Sequence, residues 1–179
     1  RVYAVMFSSL YSALMLILFA LILRGVAFEF RGKVDSPGWR KLWDACIFIG
    51  SFLPALLFGV AFANIFQGIP IDQKGVYQGT LFTLLNPYGL IGGVLFVLLF
   101  LVHGALWLAA KTQGELQERA ASIAGKIWLA EVAVAVVFLA ASYVTTNLYA
   151  NYLAKPLLFA VILLTVAALF GIRLFLAQK

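Results

Sequence analysis

Charge is scarce in this chain of 179 residues. Asp, Glu, Lys and Arg make up 11% of it, against about 25% in a typical soluble domain. Cysteine and histidine occur once each, as Cys46 and His103. A lone cysteine closes no intrachain disulfide. One His and one Cys supply too few ligands for a metal site, so any metal chemistry must come from a partner chain. The chain has no internal repeat. It also lacks an initiator Met, and a signal peptide with a basic start and a small-residue cleavage site, which raises the expectation of a fragment. The net charge of +6 is not accompanied by a basic-aromatic nucleic-acid motif. In so apolar a chain it fits anchoring on the cytoplasmic side of a membrane.

What the chain does have is apolar length. Hydrophobic residues make up 64% of it and the mean hydropathy is +1.04. A spanning helix needs about 20 mostly apolar residues, and five stretches qualify: about 3–23, 38–66, 87–109, 122–145 and 155–176. The expected fold is an all-α membrane protein, one transmembrane domain over 1–179. Orientation follows from Lys and Arg. Ten of the thirteen fall in the first and third connectors and at the C-terminal end; Arg1, Lys74 and Lys155 fall on the other side. The first and third connectors are therefore expected on the cytoplasmic side.

Local signals support these boundaries. Ser36-Pro37 and Asn86-Pro87 read as N-cap and first helical residue, where proline's missing N–H costs nothing. Thr112-Gln113-Gly114-Glu115 fits a capping box that would extend the fourth span toward the cytoplasm. Trp39 and Trp43, four apart, suit an interfacial aromatic belt. Pro54 removes a donor to the Gly50 carbonyl and predicts a bend. Gly89 and Gly93 make a small-xxx-small pair, which lets a neighbouring helix approach.

Ionisable groups inside spans are expensive, roughly 2.5–3.5 kcal/mol each on insertion scales. At about 1.5 Å per residue, Arg24, Asp44, His103 and Glu131 all fall in the cytoplasmic half. The outer ends carry the amides Asn64, Gln67, Asn86 and Asn147 instead. Each residue has an ordinary structural reading. Arg24 could be a snorkelling anchor, and Asp44 could sit at the positive end of a helix dipole. His103 could be a hydrogen-bonded packing residue. Glu131 could pair with Lys126 or snorkel, while Asn64, Gln67, Asn86 and Pro87 could serve helix ends. The shared layer carries more weight than any member, because a proton path needs titratable groups stepping in from one face.

Four stretches together resemble subunit II of the cytochrome bd-type quinol oxidases: "LILRGVAFEFR", "WDACIFIGSFLPALLFGVAFANIFQGIPID", "LLNPYGLIGG" and "HGALWLAAKTQGELQERA". Residues 1 to about 120 carry the resemblance. The last two spans match through "TNLYANYLAKP" and as hydrophobic segments. The resemblance implies a bacterial or archaeal cytoplasmic-membrane protein paired with a haem-bearing subunit I. That partner would bind haems b and d and the quinol, and the complex would reduce oxygen to water. This chain would bind no haem, metal or other cofactor and hold no catalytic residue. It would support the haem-bearing subunit and contribute a cytoplasmic proton route. Membrane lipid is an expected partner, nucleic acid is not, and small accessory subunits stay open. The resemblance also implies a longer subunit of two helix bundles, of which this chain is a middle piece.

The matching positions are Arg24 and Asp44, then Asn64 and Gln67 of "NIFQG", Asn86-Pro87, His103-Gly104 and Lys111-Thr112. Glu131 matches no motif of that family. Arg24 and Asp44 are expected to lie at one depth in a common charge network, with Arg31 beyond the helix and of little consequence. The alternative reading is a secondary transporter or channel, with the Pro-interrupted second span and its amides as a substrate site. A third is a purely structural assembly subunit.

Overall fold

A computed structural model describes residues 2–177, with side chains other than those at 151, 156, 173 and 175–177. Of the basic residues behind the predicted orientation, Arg1, Lys179 and the side chain of Arg173 lie outside the described residues. The chain is an all-α membrane protein. In order come α1 (Val2–Ser9), α2 (Tyr11–Phe30), α3 (Pro37–Gln67), the short α4 (Leu81–Leu84), α5 (Pro87–Lys111), α6 (Glu115–Thr145), α7 (Leu148–Ala154), a 3-10 turn (Pro156–Leu158) and α8 (Phe159–Ala177). Helices α2, α3, α5 and α6 are each long and apolar enough to cross a membrane. The segments Leu148–Ala154 and Phe159–Ile172 meet at 114° and make a fifth crossing if they act as one. The break falls at Lys155-Pro156, where proline disfavours helix in the residue before it.

The chain forms two compact units, Arg1–Val97 and Leu98–Lys179. In the first, α2 and α3 form an antiparallel hairpin. Its inward stripe on α2 is Ala13, Ile17, Ala20 and Ala27, spaced to recur on one helix face. These small residues let α3 come close. Gly50 is the tightest point: a Cβ there would lie 2.6 Å from the Ala20 carbonyl and 2.8 Å from Arg24 Cβ. On its other side α3 meets α5. A Cβ on Gly59 would collide with the Gly92 carbonyl, and one on Gly93 would lie 2.9 Å from Leu56. The close approach predicted from Gly89 and Gly93 is therefore present, with Gly59 and Gly92 as members the spacing did not show. A small core of Leu10, Ala13, Val60, Ala61 and Leu84 closes the opposite end of the hairpin.

Two boundaries differ from expectation. The first apolar run is interrupted at Leu10, next to Ser9, whose hydroxyl donates to the Val5 carbonyl at 2.8 Å. Such back-bonding often bends a helix. Beyond Arg24, α2 continues to Phe30, because nothing in "GVAFEF" breaks a helix outright. The capping box expected at Thr112 does not form. Thr112 Oγ1 donates back to Leu108 O at 2.7 Å, and Gly114 takes the N-cap place at φ 69°, a conformation open to glycine. Helix α6 does begin at Glu115. A capping box forms instead at Thr80 and Thr83. Ser36 precedes α3 in extended conformation with Pro37 following, but its side chain makes no cap bond.

In the second unit, α6 presents Ala120, Ala124, Trp128, Glu131 and Ser142 as buried residues. The indole of Trp128 donates to Leu169 O at 2.9 Å and meets the Phe170 ring edge-on at 5.9 Å. This contact ties α6 to α8.

Candidate functional site

The tip of the α2–α3 hairpin carries most of the charge of the first unit. Arg31, just past α2, grips Asp44 with both arms of its guanidinium: Nε to Oδ1 at 2.5 Å and Nη2 to Oδ2 at 3.3 Å. The two side chains are 47% and 51% exposed. The hydrogen bond to Asp44, and then its charge, raises the Arg31 guanidinium above its already high ordinary value. Lys33 pairs with Glu29 at 2.9 Å and Arg40 with Asp35 at 2.7 Å. Beneath them lies an aromatic cluster. Trp39 donates to Phe30 O at 2.8 Å, while the Trp43 ring sits 5.4 Å from Phe30 and 5.5 Å from Trp39.

The partner expected for Asp44 is thus corrected. Its carboxylate is held by Arg31, and Arg24 stands farther along the hairpin. The reason is register. Because α2 runs on past Arg24, the antiparallel pairing sets Arg31 beside Asp44 and Arg24 beside Gly50. Six residues separate Asp44 from Gly50, so the two levels differ by about 9 Å. Arg24 is half-buried there and Asp44 is exposed. Reading the helix on to Phe30 would have revealed this partner, since a short connector forces the register.

At the other end of α3 lies a knot of amides. Asn64, 5% exposed, donates through Nδ2 to Val60 O at 2.8 Å and to Leu84 O at 2.7 Å. Its Oδ1 accepts from Asn86 Nδ2 at 2.8 Å. Asn86 Oδ1 in turn accepts the Gly89 N–H at 2.7 Å. That is an N-cap bond to the third residue of α5, with Pro87 in first place. The helix-end reading of Asn64 and Asn86-Pro87 therefore holds. Gln67 is the exposed last residue of α3. After it, Gly68 turns the chain at φ 100° while its N–H reaches Asn64 O.

In the second unit His103 is exposed. Lys111 lies over the Trp107 ring at 5.2 Å, at the C-terminal end of α5, where a cation suits the helix dipole. Glu131 is 6% exposed and its Oε2 has no hydrogen-bond partner among the described residues. The expected pair with Lys126 is not formed among the described residues. No group of three or more His, Cys, Asp or Glu that could hold a metal occurs among the described residues.

These features define a class first: a multi-pass helical membrane protein in which Arg31 with Asp44, and Asn64 with Asn86, tie neighbouring elements together. The whole chain, residues 1–179, matches the family of cytochrome bd terminal oxidase subunit II, and it belongs to that family. It is similar to a probable cytochrome oxidase subunit 2 of Haemophilus influenzae, 48% identical over 126 residues, which is 68% of this chain and 33% of that protein. It is 46% identical over 122 residues to the cytochrome bd-I ubiquinol oxidase subunit 2 of Escherichia coli strain K12, covering 66% of this chain and 32% of that protein. With the cytochrome bd ubiquinol oxidase subunit 2 of Bacillus subtilis strain 168 it shares 40% identity over 147 residues, covering 82% and 44% respectively. The chain spans about a third of the length of the first two relatives.

Proposed function

We propose that this chain is part of the membrane subunit that supports the haem-bearing subunit I of a bd-type terminal oxidase, in a bacterial or archaeal cytoplasmic membrane. The complex oxidises quinol and reduces oxygen to water. The observation that carries the reading is the family match over the entire chain. The ligand inventory supports placing haems b and d in the partner. One exposed His, one half-buried Cys and two half-buried Met residues are too few for the axial ligation of several haems. No step of the chemistry is therefore assigned to this chain.

Uncovered helix surface supports a partner as well. Only 17–33% of each candidate span is buried within the chain. The remaining apolar faces suit lipid and a second membrane subunit. A proton path or charge network on the side of the first and third connectors is proposed for Arg24 and Asp44 in the first unit and for His103 and Glu131 in the second, Arg24 acting as a fixed charge. A transporter reading needs free amides near the end of α3. Asn64 is already engaged with Val60, Leu84 and Asn86, which leaves exposed Gln67 as the amide there, and one surface amide does not make a substrate site.

The test is an absorption spectrum of the complex purified through the full-length subunit. Haem bands should copurify with it, and the subunit expressed alone should show none. A haem-free complex, or stoichiometric haem in the isolated subunit, overturns the reading. Labelling of single cysteines placed at Lys33 and Gln73, which flank α3, checks the topology: the two should react from opposite sides of the membrane.

A further inference from the structure

We propose that Glu131 is a proton-exchanging carboxyl inside the second unit, and the site at which a membrane-permeant carboxyl reagent modifies this chain. The inference rests on the oxidase reading only for the use made of the proton; the site itself stands on geometry. Glu131 belongs to the buried stripe of α6, one turn beyond Trp128, whose indole fastens α6 to α8. The stripe positions 120, 124, 128 and 131 recur at helical spacing on one face. The residue is more than nine-tenths buried, and its Oε2 meets no donor among the described residues.

The charged group nearest in sequence on α6, Lys126, is exposed and forms no pair with it. On α8 the ionisable residue is Arg173, whose side chain lies outside the described residues. A carboxylate with no partner in such surroundings is costly. Structural buried polar groups are normally satisfied, as Asn64 is in the first unit. A carboxyl left with a free oxygen is instead equipped to take up and release a proton.

A hydrophobic carbodiimide tests this directly. The carboxyl proton passes to one carbodiimide nitrogen, a carboxyl oxygen bonds to the central carbon, and acyl migration to nitrogen leaves a stable N-acylurea with no leaving group. Membranes containing the full-length subunit are treated with dicyclohexylcarbodiimide or with a water-soluble carbodiimide, and the peptides are read by mass spectrometry. The expected result is an adduct at Glu131 with the hydrophobic reagent, its loss in Glu131→Gln and its retention in Glu131→Asp. The water-soluble reagent should modify exposed Glu29 or Asp35 and spare Glu131. An unmodified Glu131 with the hydrophobic reagent, or equal modification by both, overturns the proposal. Quinol-driven oxygen uptake by the same membranes reads the oxidase proposal separately: no uptake by the unmutated protein sinks that reading and leaves the labelling to decide this one.

Discussion

At its N-terminal end α3 holds Asp44 against Arg31, with both side chains about half exposed. At its C-terminal end it holds Asn64 against Leu84 and Asn86 at 5% exposure. The charged end has the stronger pairwise attraction and the weaker grip on stability. Water solvates either partner if the other is removed, and salt screens the pair. The neutral end has ordinary hydrogen bonds but no water to replace them. Losing one member there leaves buried groups unsatisfied. Formal charge is therefore a poor guide to which polar residues hold this helix in place; burial is the better one.

The largest effect is expected at the contact beside the amide knot. A Cβ at Gly59 would collide with the Gly92 carbonyl and lie 2.7 Å from Gly93 Cα. Backbone cannot swing aside as a side chain can. Overpacking typically costs about 1–3 kcal/mol, and Gly59→Leu should exceed that and leave no monodisperse protein after detergent extraction. A normal elution profile for Gly59→Leu would mean that α3 and α5 are not in backbone contact.

Asn64→Leu comes next. It strands the buried Leu84 carbonyl, at about 1–3 kcal/mol for a buried group left unpaired, and leaves Asn86 Nδ2 only its longer bond to Thr83 O at 3.2 Å. The Tm of the purified protein should fall clearly in a fluorimetric melt. Asn86→Ala should follow, losing an N-cap worth about 0.5–2 kcal/mol and the bond to Asn64. Because the two residues share that bond, the double variant should be less destabilised than the sum of the singles. Strict additivity would show that the knot is not a network.

Smallest should be the charged end. Arg31→Gln and Asp44→Asn should shift Tm less than Asn64→Leu, by similar amounts, and less still in high salt. A shift as large as that of Asn64→Leu, unaffected by salt, would reverse the comparison and mark the hairpin tip as the structural anchor.

Much of this was readable from residues taken in order. Hydropathy is local, so the long apolar runs at 38–66 and 87–109 came within a few residues of Pro37–Gln67 and Pro87–Lys111. Caps are local too when proline fixes them, and Asn86-Pro87 begins α5 as its spacing implied. Local reading failed where a choice depended on competition. At Thr112 the hydroxyl found the Leu108 carbonyl one turn back before it could cap the next helix.

Residues read in order were enough for the class: helices too apolar for water, and motifs specific to one family. Tertiary structure alone decided the partners. Which arginine meets Asp44 depends on how far α2 runs before it turns, since adding two helical turns moves the pairing by about 11 Å. Whether Asn64 is satisfied depends on Leu84 and Asn86, 20 and 22 residues away. Whether Glu131 is exposed or enclosed depends on what packs against α6, and composition carries no record of that. Periodicity says which residues share a face; only the packed helices say what that face meets.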